Sequence, residues 1–290
     1  MERFELLADR AERLLERLEN LLPPTVAAPD WEASIAFRWR KRGGRGWLAP
    51  VRHPHRLRLQ DLQRVDRQKA ELDRNLRQFV AARPANHALL WGSRGTGKSS
   101  LVKALLNAYA AQGLRLIEVE RHDLIDLPDI VELVEDRPER FLVFCDDLSF
   151  DADDGSYKAL KAVLDGSVAA PSENVLICAT SNRRHLLPEY MSENRDARMV
   201  EGELHHGEAV EEKISLSERF GIWLSFHPFT QDDYLAVVAY WLGELGAPAD
   251  LDEATRALAL RWALTRGSRS GRVAYQFARD HVGRQGLDGG

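Results

Sequence analysis

The chain has 290 residues, 44% of them hydrophobic and 29% charged, with a formal net charge of −5. That length accommodates about two compact domains, the composition is that of a globular chain rather than a disordered or fibrous one, and the acidic balance argues against a protein that simply coats nucleic acid. No apolar run approaches the roughly 18 residues of a membrane span, the first residues alternate charge with leucine instead of forming a leader, and Cys145 and Cys178 sit in apolar runs as buried thiols rather than a disulfide or redox pair, so a reducing, cytoplasmic setting without membrane contact is expected.

In chain order, residues 2–22 carry an amphipathic helix: Phe4, Leu7, Ala11, Leu14, Leu18 and Leu21 form one apolar stripe, ended by Pro23 and Pro24. Residues 33–60 hold no acidic residue and eight basic ones, Arg38, Arg40, Lys41, Arg42, Arg45, Arg52, Arg56 and Arg58, interleaved with Phe37, Trp39 and Trp47 and loosened by Gly43, Gly44 and Gly46. Two readings stay open for residues 38–58. Basic and aromatic side chains together can hold a nucleic-acid strand; alternatively, this is an irregular arm whose aromatics pack on the core while its arginines face water or an acidic neighbour.

From residue 66 a helix runs to about 82, with Leu72, Leu76, Phe79 and Val80 inward. Strands at 88–91, 114–119, 141–145, 175–179 and 222–226 then alternate with helices at 99–111, 129–135 and 157–164. Such alternation predicts an α/β fold, a parallel sheet covered on both faces. Residues 183–214 are polar and aperiodic, a long loop or insertion. From Thr230 the pattern is helical, with N-caps at Thr230 and Asp252. The expected division is 1–59 for the N-terminal helix and basic arm, 60–228 for the α/β core, and 229–290 for a small helical domain.

Three segments carry chemistry. Gly92, Ser93, Arg94, Gly95, Thr96, Gly97, Lys98 and Ser99, followed by Ser100, match G-x-x-x-x-G-K-[ST] between a predicted strand and a predicted helix. The glycines let backbone wrap phosphates, the helix N-terminus offers unpaired N–H groups, Lys98 reaches the β- and γ-phosphates, and Ser99 is a Mg²⁺ ligand. Next, the apolar strand 141–145 ends in Asp146 and Asp147, at the edge where open α/β sheets bind ligands. Asp146 suits the metal role and Asp147 the general-base role. Third, the strand beginning near Val175 ends in Thr180, Ser181 and Asn182, whose amide can bond the attacking water or the γ-phosphate.

This order of P-loop, acidic-ended strand and polar-ended strand, followed by a small helical domain, resembles the AAA+ ATPases over about residues 60–280. The stretches 89–103, 144–150, 179–187 and 215–226 are similar to a bacterial family of predicted AAA+ ATPases described as a domain of unknown function. The resemblance implies an ATP-hydrolysing, Mg²⁺-dependent enzyme that remodels or loads a macromolecule as a homo-oligomer, a hexamer being one candidate form, with an unidentified protein partner and with nucleic acid as a further candidate. It makes Asn182 the sensor 1 residue, Arg219 in Leu216-Ser-Glu-Arg-Phe-Gly221 an arginine finger reaching a neighbouring subunit, Arg272 the sensor 2 residue with Arg269 as alternative, and Val65 and Asp66 part of the adenine pocket. Two departures stand out: aspartate at 147, where most of the superfamily has glutamate, and a loop after the second strand, residues 120–126, without the aromatic and glycine of protein-threading members. The first keeps open a nucleotide-gated scaffold with little turnover. A P-loop small-molecule kinase, the remaining rival, has no use for Asn182 and Arg219.

Overall fold

In a computed structural model, residues 29–150, 155–165, 172–182, 198–200, 203–205 and 216–288 are described. The expected helix over 2–22 and most of the expected loop 183–214 lie outside these residues. Strands β1 (Ala36–Arg42) and β2 (Arg45–Pro50) come first, then helix α1 (Asp66–Val80), β3 (Ala88–Gly92), α2 (Lys98–Tyr109) and β4 (Leu114–Glu118). A 3₁₀ segment Arg121–Asp126 leads into the short α3 (Leu127–Glu132), followed by β5 (Arg140–Cys145), α4 (Gly155–Asp165) and β6 (Val175–Ser181). Strands β7 (Arg198–Val200) and β8 (Glu203–His205) pair only with each other, antiparallel. The chain then adds β9 (Ile222–Phe226) and the helices α5 (Gln231–Glu244), α6 (Glu253–Thr265) and α7 (Gly271–Asp288).

The seven-stranded sheet has the order β2-β1-β4-β5-β6-β3-β9, parallel throughout except for the β1–β2 pair. Its strands are apolar on both sides, and alternate residues serve opposite faces. Leu90, Leu116, Leu142, Phe144 and Leu176 join one core with α1, α2 and the C-terminal helices, while Leu89, Ile117, Phe141, Val143 and Ile177 join a second with α3 and α4. The result is the three-layered α/β architecture expected from the alternation. Cys145 and Cys178 are both buried free thiols, and they belong to opposite cores. A disulfide between them is therefore geometrically foreclosed. Burial pushes the Cys145 thiol up to about 12 and raises Cys178 as well, so neither is a nucleophile near neutrality.

Residues 36–50, read from sequence as an irregular arm, instead form a β-hairpin that extends the sheet. Gly43 and Gly44, at φ 58° and 80°, make its two-residue turn, the primed geometry whose twist matches the flanking strands. Phe37, Trp39 and Leu48 enter the second core. Three of the four cations on β1 find acids: Arg38 pairs with Glu118 at 2.6 Å, Arg40 with Glu120 at 3.2 Å and Lys41 with Asp126 at 2.7 Å, while the Trp39 indole N–H donates to Asp126 at 3.0 Å. The loop after β4 is thereby fastened to the hairpin, with Asp123 and Leu124 buried.

The C-terminal helices begin where the caps predict. Thr230 Oγ1 accepts the Asp233 N–H at 3.1 Å and Asp252 Oδ1 accepts the Thr255 N–H at 2.7 Å. Among the described residues no helix is long and apolar enough to cross a membrane.

Candidate functional site

The loop expected to bind phosphate grows out of β3. Gly92 has φ 127°, and a Cβ there would come within 2.0 Å of the Phe226 carbonyl oxygen on β9, so only glycine lets the chain turn away from the sheet at this point. Gly97, at φ 106°, begins α2 with no side-chain cap, which leaves the first amides of the helix available to an anion. The Lys98 side chain folds back over the loop: its Nζ donates to the carbonyls of Gly92 at 2.7 Å and Ser93 at 2.8 Å and to Asn182 Oδ1 at 3.3 Å. Burial lowers the affinity of this amine for its proton, an effect opposed by Asp146 and Asp147 and reinforced by Arg94 and Arg272.

At the carboxyl ends of β5 and β6 the expected polar residues converge. Ser99 Oγ donates to Asp146 Oδ1 at 2.6 Å, and Thr180 Oγ1 donates to the same oxygen at 2.5 Å. A hydroxyl and a carboxylate so close suit a Mg²⁺ ion that takes its remaining ligands from phosphate and water. Among the described residues there is no cluster of three His, Cys, Asp or Glu. Asp147 has φ 55°, a left-handed backbone, which aspartate and asparagine tolerate better than most side chains. Its N–H donates to Thr180 Oγ1 at 2.9 Å, Asn182 Nδ2 donates to its carboxylate, and Arg94 stands 3.5 Å away. Thr180 thus holds both acidic residues, a role the sequence reading did not assign. Its signal was a small hydroxyl residue at the end of a buried strand.

These groups line a crevice of about 750 Å³ between the sheet edge and the C-terminal helices, together with Arg272. The lid touches the P-loop directly, since the Arg272 N–H donates to the Gly95 carbonyl at 3.2 Å and a Cβ on Gly95 would lie 2.7 Å from Ser270 Oγ. Arg269, the alternative sensor 2 residue, lines a neighbouring cavity of about 740 Å³ with Ser93, Arg94 and Arg261. Val65 and Asp66 stand apart from the crevice: Val65 is buried at the start of α1, and Asp66 is exposed and paired with Lys69 at 2.8 Å. The chain enters the crevice earlier, at Leu57, Asp61, Leu62 and Gln63, facing Val237, Trp241 and Tyr275 of the lid. There Arg58 and Tyr240 hydrogen-bond Asp61 and hold its carboxyl below the usual range although burial pushes it up. Arg58 also pairs with Glu244 of α5, so lid and loop form one wall.

Arg219 is absent from this crevice. It precedes β9, whose first residue pairs with the first residue of β3, whereas the P-loop leaves the opposite ends of these parallel strands, about 17 Å away at 3.3 Å per residue. There it pairs with Asp165 at the end of α4.

Solved structures with this arrangement include the RuvB Holliday junction branch migration motor of Thermotoga maritima, at TM-score 0.50 and 15% identity, covering 77% of this chain and 63% of that one. The ORC1 protein of Aeropyrum pernix in complex with DNA matches at TM-score 0.53 and 14% identity, covering 77% and 61%. The FIGL-1 AAA domain in complex with ADP matches at TM-score 0.50 and 16% identity, covering 79% and 74%. The chain thus spans under two thirds of the RuvB and ORC1 chains, and at these identities the likeness shows a shared fold, that of the AAA+ P-loop NTPases. No curated protein matches the chain. The family described as "Protein of unknown function (DUF815)" matches residues 32–285, and the chain belongs to that family.

Proposed function

We propose that this protein binds ATP with Mg²⁺ and hydrolyses it, as a cytoplasmic, oligomeric AAA+ ATPase acting on a macromolecular partner. The observation that carries the reading is the convergence of Lys98, Ser99, Asp146, Asp147, Asn182 and Arg272 on one crevice of about 750 Å³, ample for a nucleotide. Lys98 and the uncapped amides of α2 hold the β- and γ-phosphates. Ser99 and Asp146 hold the ion, which when bound neutralises phosphate charge. Asp147 accepts a proton from the attacking water, and Asn182, bonded to that carboxylate, orients both. Arg272 adds positive charge from the lid, and Leu62, Trp241 and Tyr275 offer apolar surface to the base.

The position of Arg219 at the far ends of the strands supports a role outside its own crevice, in the site of an adjacent copy. A finger arginine of that kind is worth 10³–10⁵ in rate. The test is phosphate release from ATP by the purified chain. Wild type should turn over and Lys98→Ala should neither bind nor hydrolyse. ATP binding without measurable turnover would favour the nucleotide-gated scaffold, and retained turnover in Lys98→Ala would remove this crevice from the chemistry.

A further inference from the structure

The basic stretch splits into two populations. Arg38, Arg40, Lys41 and Arg58 are each paired with a carboxylate, and their charge is locally neutralised. Arg42, Arg45, Arg52 and Arg56 are exposed and have no acidic partner among the described residues; of these, Arg42 and Arg45 stand directly opposite each other at the hairpin tip. Like charges facing across a two-residue turn are destabilising, so the fold alone has no use for them there.

Side-chain alternation sharpens the point. Phe37, Trp39 and Leu48 turn to the buried face, where the Trp39 indole covers Gly46. Arg40 and Arg42 turn to the other face, opposite Trp47 and Arg45. Trp47 is partly exposed and is absent from both hydrophobic cores, unlike Trp39. An aromatic ring flanked by unneutralised guanidinium groups combines a stacking surface with phosphate-binding charge. β1 pairs with β4 only through Arg38. Its last residues therefore overhang the carboxyl edge of the sheet, the edge that carries the P-loop, on a strand pair that ends the sheet and is open to solvent.

We infer that the exposed face of the β1–β2 hairpin, Arg42, Arg45 and Trp47, binds single-stranded nucleic acid, with the two arginines on backbone phosphates and a base stacked on Trp47. A strand is favoured over an acidic protein surface because charge alone would need no tryptophan, and over a duplex because a stacked base must be unpaired. The inference extends the partner half of the proposed function and is independent of hydrolysis, since it is tested without ATP.

The full chain is titrated into a labelled oligothymidylate of about 20 nucleotides at low salt, a length beyond the footprint of a single small site. Anisotropy reports binding. Wild type should bind, and affinity should fall with salt. Arg42→Ser with Arg45→Ser should flatten the logarithmic salt slope by about 1.4, at roughly 0.7 for each phosphate no longer neutralised. Trp47→Ala should weaken binding by about 5- to 100-fold while Trp47→Phe retains most of it, the pattern expected when base stacking is removed. Arg67→Ser, an exposed cation on α1, should change little. Circular dichroism and melting verify that each variant is folded. The inference is overturned if wild type fails to bind at low salt, if Arg67→Ser costs as much as the tip variants, or if Trp47→Ala binds as wild type does. It is equally overturned if polyglutamate competes as well as unlabelled oligothymidylate, since that result makes the face a protein-docking surface.

Discussion

At Asp147 a backbone constraint meets the chemical task proposed for the side chain. Its φ of 55° suits a short polar residue, which gives a physical reason for aspartate where a longer glutamate is usual, and Thr180 and Asn182 fix it from two sides. Asparagine tolerates the same backbone, so Asp147→Asn should fold normally, keep ATP affinity, and lose turnover by about 10²- to 10⁴-fold, the usual worth of a general base. Single-turnover phosphate release beside nucleotide binding checks both halves. A second residue-scale prediction concerns His87. Burial pulls its ring from an ordinary 6.5 down to about 4, and Nδ1 accepts the Ile177 N–H at 3.0 Å, so the folded protein keeps the ring neutral. Above pH 6.5 folded and unfolded chains are alike in this respect. As pH falls from 6.5 towards 4 the unfolded state takes up a proton the native state refuses, and stability declines, by up to about 3 kcal/mol below pH 4. Urea midpoints measured across that window should fall in wild type and fall less in His87→Asn.

At the scale of elements, the N-cap of α5 and the hairpin anchor are the places where small changes have the clearest expected cost. Thr230→Ala removes the acceptor for the Asp233 N–H and should lower stability by about 1 kcal/mol. Asp126→Ala leaves the Trp39 indole N–H and Lys41 without their shared acceptor and should cost about 1–3 kcal/mol, read as a shift in urea midpoint without change in the m-value. The parallel strands and both caps were legible because each depends on local pattern: apolar runs, Thr230 and Asp252. The hairpin was obscured by its charge. Its inward residues do alternate, Phe37, Trp39 and Leu48, but its outward ones are arginines whose partners lie some 80 residues on, at Glu118 and Glu120, and Gly43-Gly44 looked like loosening rather than a turn. Which residues line the crevice ahead of the first helix was less legible, for a related reason. Sequence order put Val65 and Asp66 nearest the first helix, whereas the crevice is closed by Leu62 and Gln63 against a lid about 180 residues further along the chain. The residues proposed to hold phosphate and metal, by contrast, are adjacent in sequence to the strands that carry them, and their convergence on one crevice was legible.

For the whole molecule, the separation between Arg219 and the P-loop leads to a test that no single subunit can pass. Arg219→Ala should bind ATP and fail to hydrolyse it, and Lys98→Ala should fail to bind. In an equal mixture about a quarter of the interfaces of a cyclic assembly would pair an intact P-loop with an intact arginine, so part of the activity should return. Specific activity should also rise with total protein concentration through the assembly threshold. If mixing restores nothing and wild-type specific activity is constant down to nanomolar concentration, Arg219 is a structural arginine, as its pairing with Asp165 would allow.

The hydrogen bond from the Arg272 N–H to the Gly95 carbonyl makes the molecule a lever. It sits in the first turn of α7, an 18-residue helix about 27 Å long, and Ser270 leaves no room to slide past the loop. Motion of the loop would therefore be passed to the short arm of that lever, and a tilt of about 10° at this fulcrum would sweep the far end of the helix through about 5 Å. By that geometry a sub-ångström shift of the loop would become a displacement as large as a side chain at the far end of the helix.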